Sequence, residues 1–148
     1  ALFAGGTPKD GSLVVDAYDA SLTLTAAADL SSAQNSYAAA AVGGYALFAG
    51  DTADADVYDA SLTKTTVSIL SAVRQPDAVT AGGYAFFAGG DESGTVDVCD
   101  ASLTRTTLTA LSEARDSMAA AAVGDYVLFA GGRNTESLYH DTVDVYTI

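Results

Sequence analysis

Small apolar residues open a pattern that repeats along the chain: Ala38-Ala39-Ala40-Ala41-Val42, then Ala78-Val79-Thr80-Ala81, then Ala119-Ala120-Ala121-Ala122-Val123. Alanine alone favours a helix, but the second copy carries Val and Thr, which favour strands. A tract this short, closed by glycine, is also too brief for a stable helix. The pattern therefore predicts strands built from small side chains. Each tract runs into a two-residue loop, Gly43-Gly44, Gly82-Gly83 or Gly124-Asp125, and then into an apolar run such as Tyr45–Ala49. Two β runs joined by such a pair read as a hairpin. A run apolar on both alternating faces reads as buried on both sides. A third run alternates, as in Val96-Asp97-Val98, and ends in Asp-Ala-Ser-Leu-Thr, whose Asp and Ser can bond nearby backbone and form a turn. A fourth run, such as 106–111, leads to the next small-residue tract. Each unit thus reads as four short antiparallel strands, a, b, c and d, with no helix of useful length.

The units are copies of one another. Leu2-Phe3-Ala4-Gly5-Gly6 returns as Leu47-Phe48-Ala49-Gly50, Phe86-Phe87-Ala88-Gly89-Gly90 and Leu128-Phe129-Ala130-Gly131-Gly132. VDAYDASLT from Val15 returns from Ala55, Val96 and Val143, and LSSAQ from Leu30 returns as LSAVR and LSEAR. Copies lie 39 to 47 residues apart, the period of propeller blades and of some helical repeats. The units fall at about 1–36, 37–77, 78–117 and 118–148. A four-stranded sheet with two apolar faces cannot stand alone, and radial stacking around an axis buries both faces. A strand crowded toward that axis has no room for large side chains, which accounts for the alanines. The expected fold is all-β, a partial β-propeller of two full blades flanked by two incomplete ones.

These residues resemble the Kelch repeat family over essentially the whole chain. The small-residue strand, "VGGY", "FAGG", "VDVYD" and "LSEAR" come in the family's order. Kelch blades usually carry a Trp on the fourth strand, and this chain has none. Thr25, Thr66 and Thr107 lie near that slot, with Leu30, Leu70 and Leu111 as packing substitutes. The chain opens in a b strand and stops after a c strand. It reads as the C-terminal portion of a ring of about six or seven blades, or as a chain that associates to complete one.

Charge narrows the partners. The net charge of −13 argues against nucleic acid, whose phosphates need Lys and Arg, and disfavours anionic membranes. No apolar run approaches the roughly 18 residues of a membrane span, and no secretory signal pattern is visible. Cys99 is the single cysteine, so the compartment stays open.

Function is expected where the units differ, because shared features serve the scaffold. Asp16, Asp56, Asp97 and Asp144 recur at one strand position and read as structural, as do Asp19, Asp59 and Asp100 in turns. The b–c loops differ most: 7–13, 51–54, 91–95 and 133–142. The last is longest and holds Arg133, Asn134, Tyr139 and the single histidine, His140. The d–a connections vary too and carry Tyr37, Arg74 and Arg115. In an antiparallel blade these two sets of loops share one rim. Of the six basic residues, Lys9, Arg74, Arg115 and Arg133 fall there, and Lys64 and Arg105 fall on the other. That clustering predicts a rim of Arg74, Arg115, Arg133, Tyr37, Tyr139 and His140 for a carboxylate-bearing protein or glycan, since arginine grips carboxylates bidentately. The Kelch resemblance implies the same partner face. The bland reading is that Arg74 and Arg115, at a repeated position, anchor the loop between blades.

Chemistry is sparse. Asp51, Asp54 and Asp56 form an acidic cluster without the glycine turn of calcium loops, and no metal or cofactor is expected. Cys99 takes the place of a tyrosine and has no His or Lys beside it in sequence to activate it. Kelch-like enzymes include copper oxidases, which need more than one histidine, and sugar-acid isomerases. The expectation is a non-catalytic scaffold, with a sugar-acid isomerase as the alternative, Arg115 or Arg133 holding a carboxylate and His140 or a tyrosine shuttling a proton. A structural array without a fixed ligand is the third reading.

Overall fold

The computed structural model describes residues 1–5, 12–33 and 37–148. Among them every regular element is a β-strand, and four antiparallel sheets follow one another along the chain. The first holds β1 (Leu2–Ala4), β2 (Val15–Tyr18) and β3 (Leu24–Ala26). The second holds β4 (Ala38–Val42), β5 (Tyr45–Ala49), β6 (Asp54–Tyr58) and β7 (Lys64–Ser68). The third holds β8 (Asp77–Ala81), β9 (Tyr84–Ala88), β10 (Val96–Cys99) and β11 (Arg105–Thr107). The fourth holds β12 (Ala119–Val123), β13 (Tyr126–Ala130) and β14 (Val143–Thr147). Within each sheet the strands pair in chain order. The fourth run is shorter than the sequence predicts, since β11 stops at Thr107.

The alanine tracts are strands, and their small size has a visible cause. β8 contacts both β4 and β12, so the first strands of successive sheets converge. Thr80 Oγ1 accepts a hydrogen bond from Ala41 N at 3.1 Å and donates to Ala41 O at 2.9 Å, a contact that a long side chain would block. At the far end β12 has a neighbour on one side only and is largely exposed.

The sheets stack face to face in an open, propeller-like series. Leu30 and Val15 meet Phe48 and Tyr58 between the first and second sheets. Leu47, Val57, Ile69 and Leu70 meet Ala85, Phe87 and Cys99 between the second and third. Phe86, Val96, Val98 and Leu111 meet Val127 and Phe129 between the third and fourth. Each sheet therefore has a leading face, turned toward the next sheet along the chain, and a trailing face, turned toward the previous one, and the three seams each pack a leading face on a trailing face. The alternation in Val96–Cys99 is an alternation between two seams rather than between core and water, and all four residues are buried.

The hairpin glycines are needed for conformation and for space. Gly43 and Gly44 have φ of 58° and 85°, as a type I′ turn requires. A Cβ on Gly43 would lie 2.6 Å from the carbonyl of Ala101, in the c–d turn of the following sheet.

Candidate functional site

Two sets of polar residues stand out: one inside the seams, the other on the loop between β13 and β14. The seam set explains the repeated aspartates. Ser31 N donates to Asp56 at 2.7 Å and Ser71 N to Asp97 at 2.7 Å, while Ser112 N reaches Asp144 at 3.2 Å. Each serine belongs to the unit before its aspartate. Arg74 Nη2 sits 2.7 Å from Asp97, and its Nη1 donates to the carbonyls of Gly89 and Thr95 at 2.8 and 2.7 Å. Arg115 Nη2 sits 2.8 Å from Asp144 and also bonds Phe129 O at 3.1 Å. Both arginine side chains are 0% exposed. Burial pushes the Asp97 carboxyl up. The hydrogen bonds from Thr107 and Ser71 and the Arg74 guanidinium outweigh that and hold it below the usual range.

Tyrosines tie the same seams. Tyr58 OH donates to Ala28 O at 2.6 Å and Tyr146 OH to Thr109 O at 3.0 Å. Burial, with a nearby aspartate, pushes both phenols up to about 12. Cys99 takes this place in the third sheet, where burial and then Asp100 push its thiol up to about 11. It is a protonated packing residue at neutral pH. Tyr37 is half-buried in the first seam, bonds the carbonyl of Ser32 and packs beside Leu30 and Val15. Lys64 Nζ reaches back to Asp29 O at 2.6 Å, and Arg105 Nη1 to Leu70 O at 2.6 Å.

The structure thus gives the six residues expected on one rim two different settings. Arg133, Tyr139 and His140 share the loop 133–142. Arg74, Arg115 and Tyr37 lie in seams, with their polar groups turned toward neighbouring sheets. Lys9 and the connection 34–36 fall outside the described residues. A rim with three free arginines is not what the described residues present. The reason is the spacing of LSAVR and LSEAR, which places arginine beneath the next sheet's aspartate. Asp51, Asp54 and Asp56 do not combine either: Asp56 is buried and engaged by Ser31, and the described residues form no grouping of His, Cys, Asp and Glu fit to hold a metal ion.

The loop 133–142 is tightly pinned. Arg133 and Asp116 exchange backbone hydrogen bonds at 2.9 and 3.0 Å, and Arg133 Nε lies 3.2 Å from the Asp116 carboxylate. Asn134 Oδ1 accepts from Glu136 N and Leu138 N, both at 3.0 Å, while Ser137 has φ of 61°. The turn at Asp19 is built the same way, with Ser21 N and Thr23 N donating at 2.8 and 2.9 Å and Leu22 at φ of 61°. One local device therefore recurs in a new place, and Asp91 with Ser93, Gly94 and Thr95 uses it again. His140 Nδ1 lies 2.6 Å from Glu113 Oε2, and Thr142 Oγ1 reaches the same oxygen at 3.2 Å. Glu113 escaped the sequence reading, although its place in LSEAR, occupied by Ser32 and Ala72 in the other copies, is one where units differ. At the tip Leu138 is 57% and Tyr139 87% exposed.

No family model and no curated protein matches the chain. Its fold is shared with 87 chains of solved structures. One, reported as "Structure of YjhT", aligns over 97% of this chain with a TM-score of 0.72 at 10% sequence identity. The chain spans 61% of the length of that neighbour. At such identity the likeness is one of fold.

Proposed function

We propose that the chain is a segment of a Kelch-type β-propeller that acts as a non-catalytic recognition scaffold, with the loop 133–142 as its partner-facing element. The order of the four repeated segments supports the Kelch reading, and the face-to-face stacking of sheets supports the propeller. The observation that carries the binding role is Tyr139. It is a large amphipathic side chain held out in water by a loop whose backbone is fixed at Arg133, Asn134 and His140. A rigid exposed aromatic loses little entropy on binding, and such residues anchor interfaces. Leu138 beside it suits an apolar pocket on a protein, while the tyrosine ring alone suits the face of a sugar.

The sugar-acid isomerase alternative fits the loop less well. Glu113 occupies Nδ1 of His140, and Nε2 is shielded from solvent. The imidazole offers a ligand no open nitrogen for proton transfer.

The test is binding of the labelled chain to peptide and glycan arrays, repeated with Leu138→Ser plus Tyr139→Ser. Loss of a central anchor is expected to weaken any specific signal by about thirtyfold or more. Undiminished binding by the double variant removes this loop from the reading.

A further inference from the structure

The three seams within the chain join a leading face to a trailing face, and the two end sheets each leave one such half uncovered. On the trailing faces an edge-to-face ring pair recurs, with centroids 5.9 Å apart for Phe48–Tyr58, 6.2 Å for Phe129–Tyr146 and 6.0 Å for Phe3–Tyr18. Phe48 and Phe129 are 5% and 0% exposed beneath the preceding sheet, whereas Phe3 is 63% exposed. Phe3 pairs in register with Asp16, as Phe48 does with Asp56 and Phe129 with Asp144. The first sheet therefore carries a trailing face of three strands that no other described sheet covers.

The fourth sheet carries the matching half. Val123, Tyr126, Val143 and Val145 are 50% to 65% exposed on its leading face. The counterparts of the three valines in the second sheet, Val42, Ala55 and Val57, are 4%, 0% and 0% exposed under the third sheet, and Tyr45, the counterpart of Tyr126, is half-buried. The patch across β12, β13 and β14 holds no charged residue. Contiguous apolar surface of this kind marks an interaction site.

We propose that the leading face of β12–β14 docks on the trailing face of β1–β3 of a second copy of this chain, head to tail, and continues the stacking of the three internal seams. The occupant follows from the chain itself, because one molecule presents both halves of an interface that it already forms three times. A head-to-tail contact closes into a ring if its rotation permits and otherwise extends.

Sedimentation and light scattering across a concentration series, from about 1 μM to about 200 μM, test this with two variants. Val145→Glu spoils the leading face and Phe3→Glu the trailing face. Both side chains are exposed, and a β-type circular dichroism spectrum with an unchanged unfolding midpoint certifies the fold. Should either variant fail that check, Val123→Lys and Leu24→Lys repeat the pair. The mass of the unaltered chain is expected to rise with concentration, and each variant alone to stay monomeric. An equimolar mixture of the two is expected to form a dimer and nothing larger, since it retains one sound leading face and one sound trailing face. A monomer at every concentration overturns the proposal and leaves a further sheet of the same polypeptide as the occupant. A variant that associates by itself overturns it too, because like faces would then be pairing, and so does a mixture that stays monomeric while the unaltered chain associates.

Discussion

Asp97 carries the charge that Arg74 needs inside the second seam. Replacing it by asparagine leaves a guanidinium buried 2.7 Å from a neutral amide, and loss of one partner of a buried ion pair costs about 3–5 kcal/mol. Asp97→Asn is expected to lower the denaturant midpoint accordingly. Arg74→Met should cost less, because Asp97 keeps its bonds from Ser71 and Thr107. The pH dependence follows from the same groups. Asp97 is held low in the folded chain, and so are Asp19, Asp59 and Asp100, chiefly by the hydroxyls of Ser21, Ser61 and Ser102. A carboxyl whose folded value lies below its unfolded value of about 3.9 stabilises fully above that value, and the contribution is lost as pH falls through the folded one. Asp77 has the opposite sign. Burial raises it, the Asp116 carboxylate adds to that push, and the hydrogen bond from Met118 N offsets only part of it, so its contribution is present at low pH and lost as pH rises through the raised value. Asp77→Asn is expected to raise the melting temperature at pH 7 and to leave it unchanged at about pH 3, where both side chains are neutral.

Strands with identical sequence behave differently according to what covers them. Ala40 in β4 and Ala121 in β12 hold equivalent positions opposite Leu47 and Leu128. Ala40 packs against the seam cluster, and Ala121 faces solvent. Ala40→Leu is expected to cost about 1–3 kcal/mol through overpacking, and Ala121→Leu close to nothing, as read by thermal unfolding of the isolated chain. This contrast marks how far the sequence could be read. Val79 and Thr80 identify the alanine tracts as strands, paired glycines locate the hairpins, and Asp-Ala-Ser-Leu-Thr locates the turns, because each is a local preference of backbone or side chain. The destination of Arg74 is not local. It depends on Asp97, 23 residues on and in another sheet, and its only trace in the sequence is that arginine and aspartate both repeat. Likewise the turn chemistry at Asn134 was hidden because the loop has a different composition from the turns at Asp19 and Asp59. Arg133, Tyr139 and His140 were legible as one loop, since a length difference between copies needs no partner to be seen.

At the level of the whole molecule, the main contacts between sheets among the described residues are with chain neighbours, so stability is close to a sum of sheet and seam terms. The seams are not equal. The second and third each enclose an arginine–aspartate pair. In the first, Gln34 holds the slot in the sequence, and the cation nearest to Asp56 among the described residues is Lys64, at 3.9 Å. That difference sets an order of local opening. Amide protons of β1–β3 should exchange with deuterium through a low-energy fluctuation, while those of β5, β6 and β9, flanking the sealed second seam, should exchange only when the entire array comes apart. Mass spectrometry of exchanged peptides would show this as two kinetic classes divided between residues 33 and 37. A single class would mean that one missing guanidinium is too little to uncouple the first sheet from the rest.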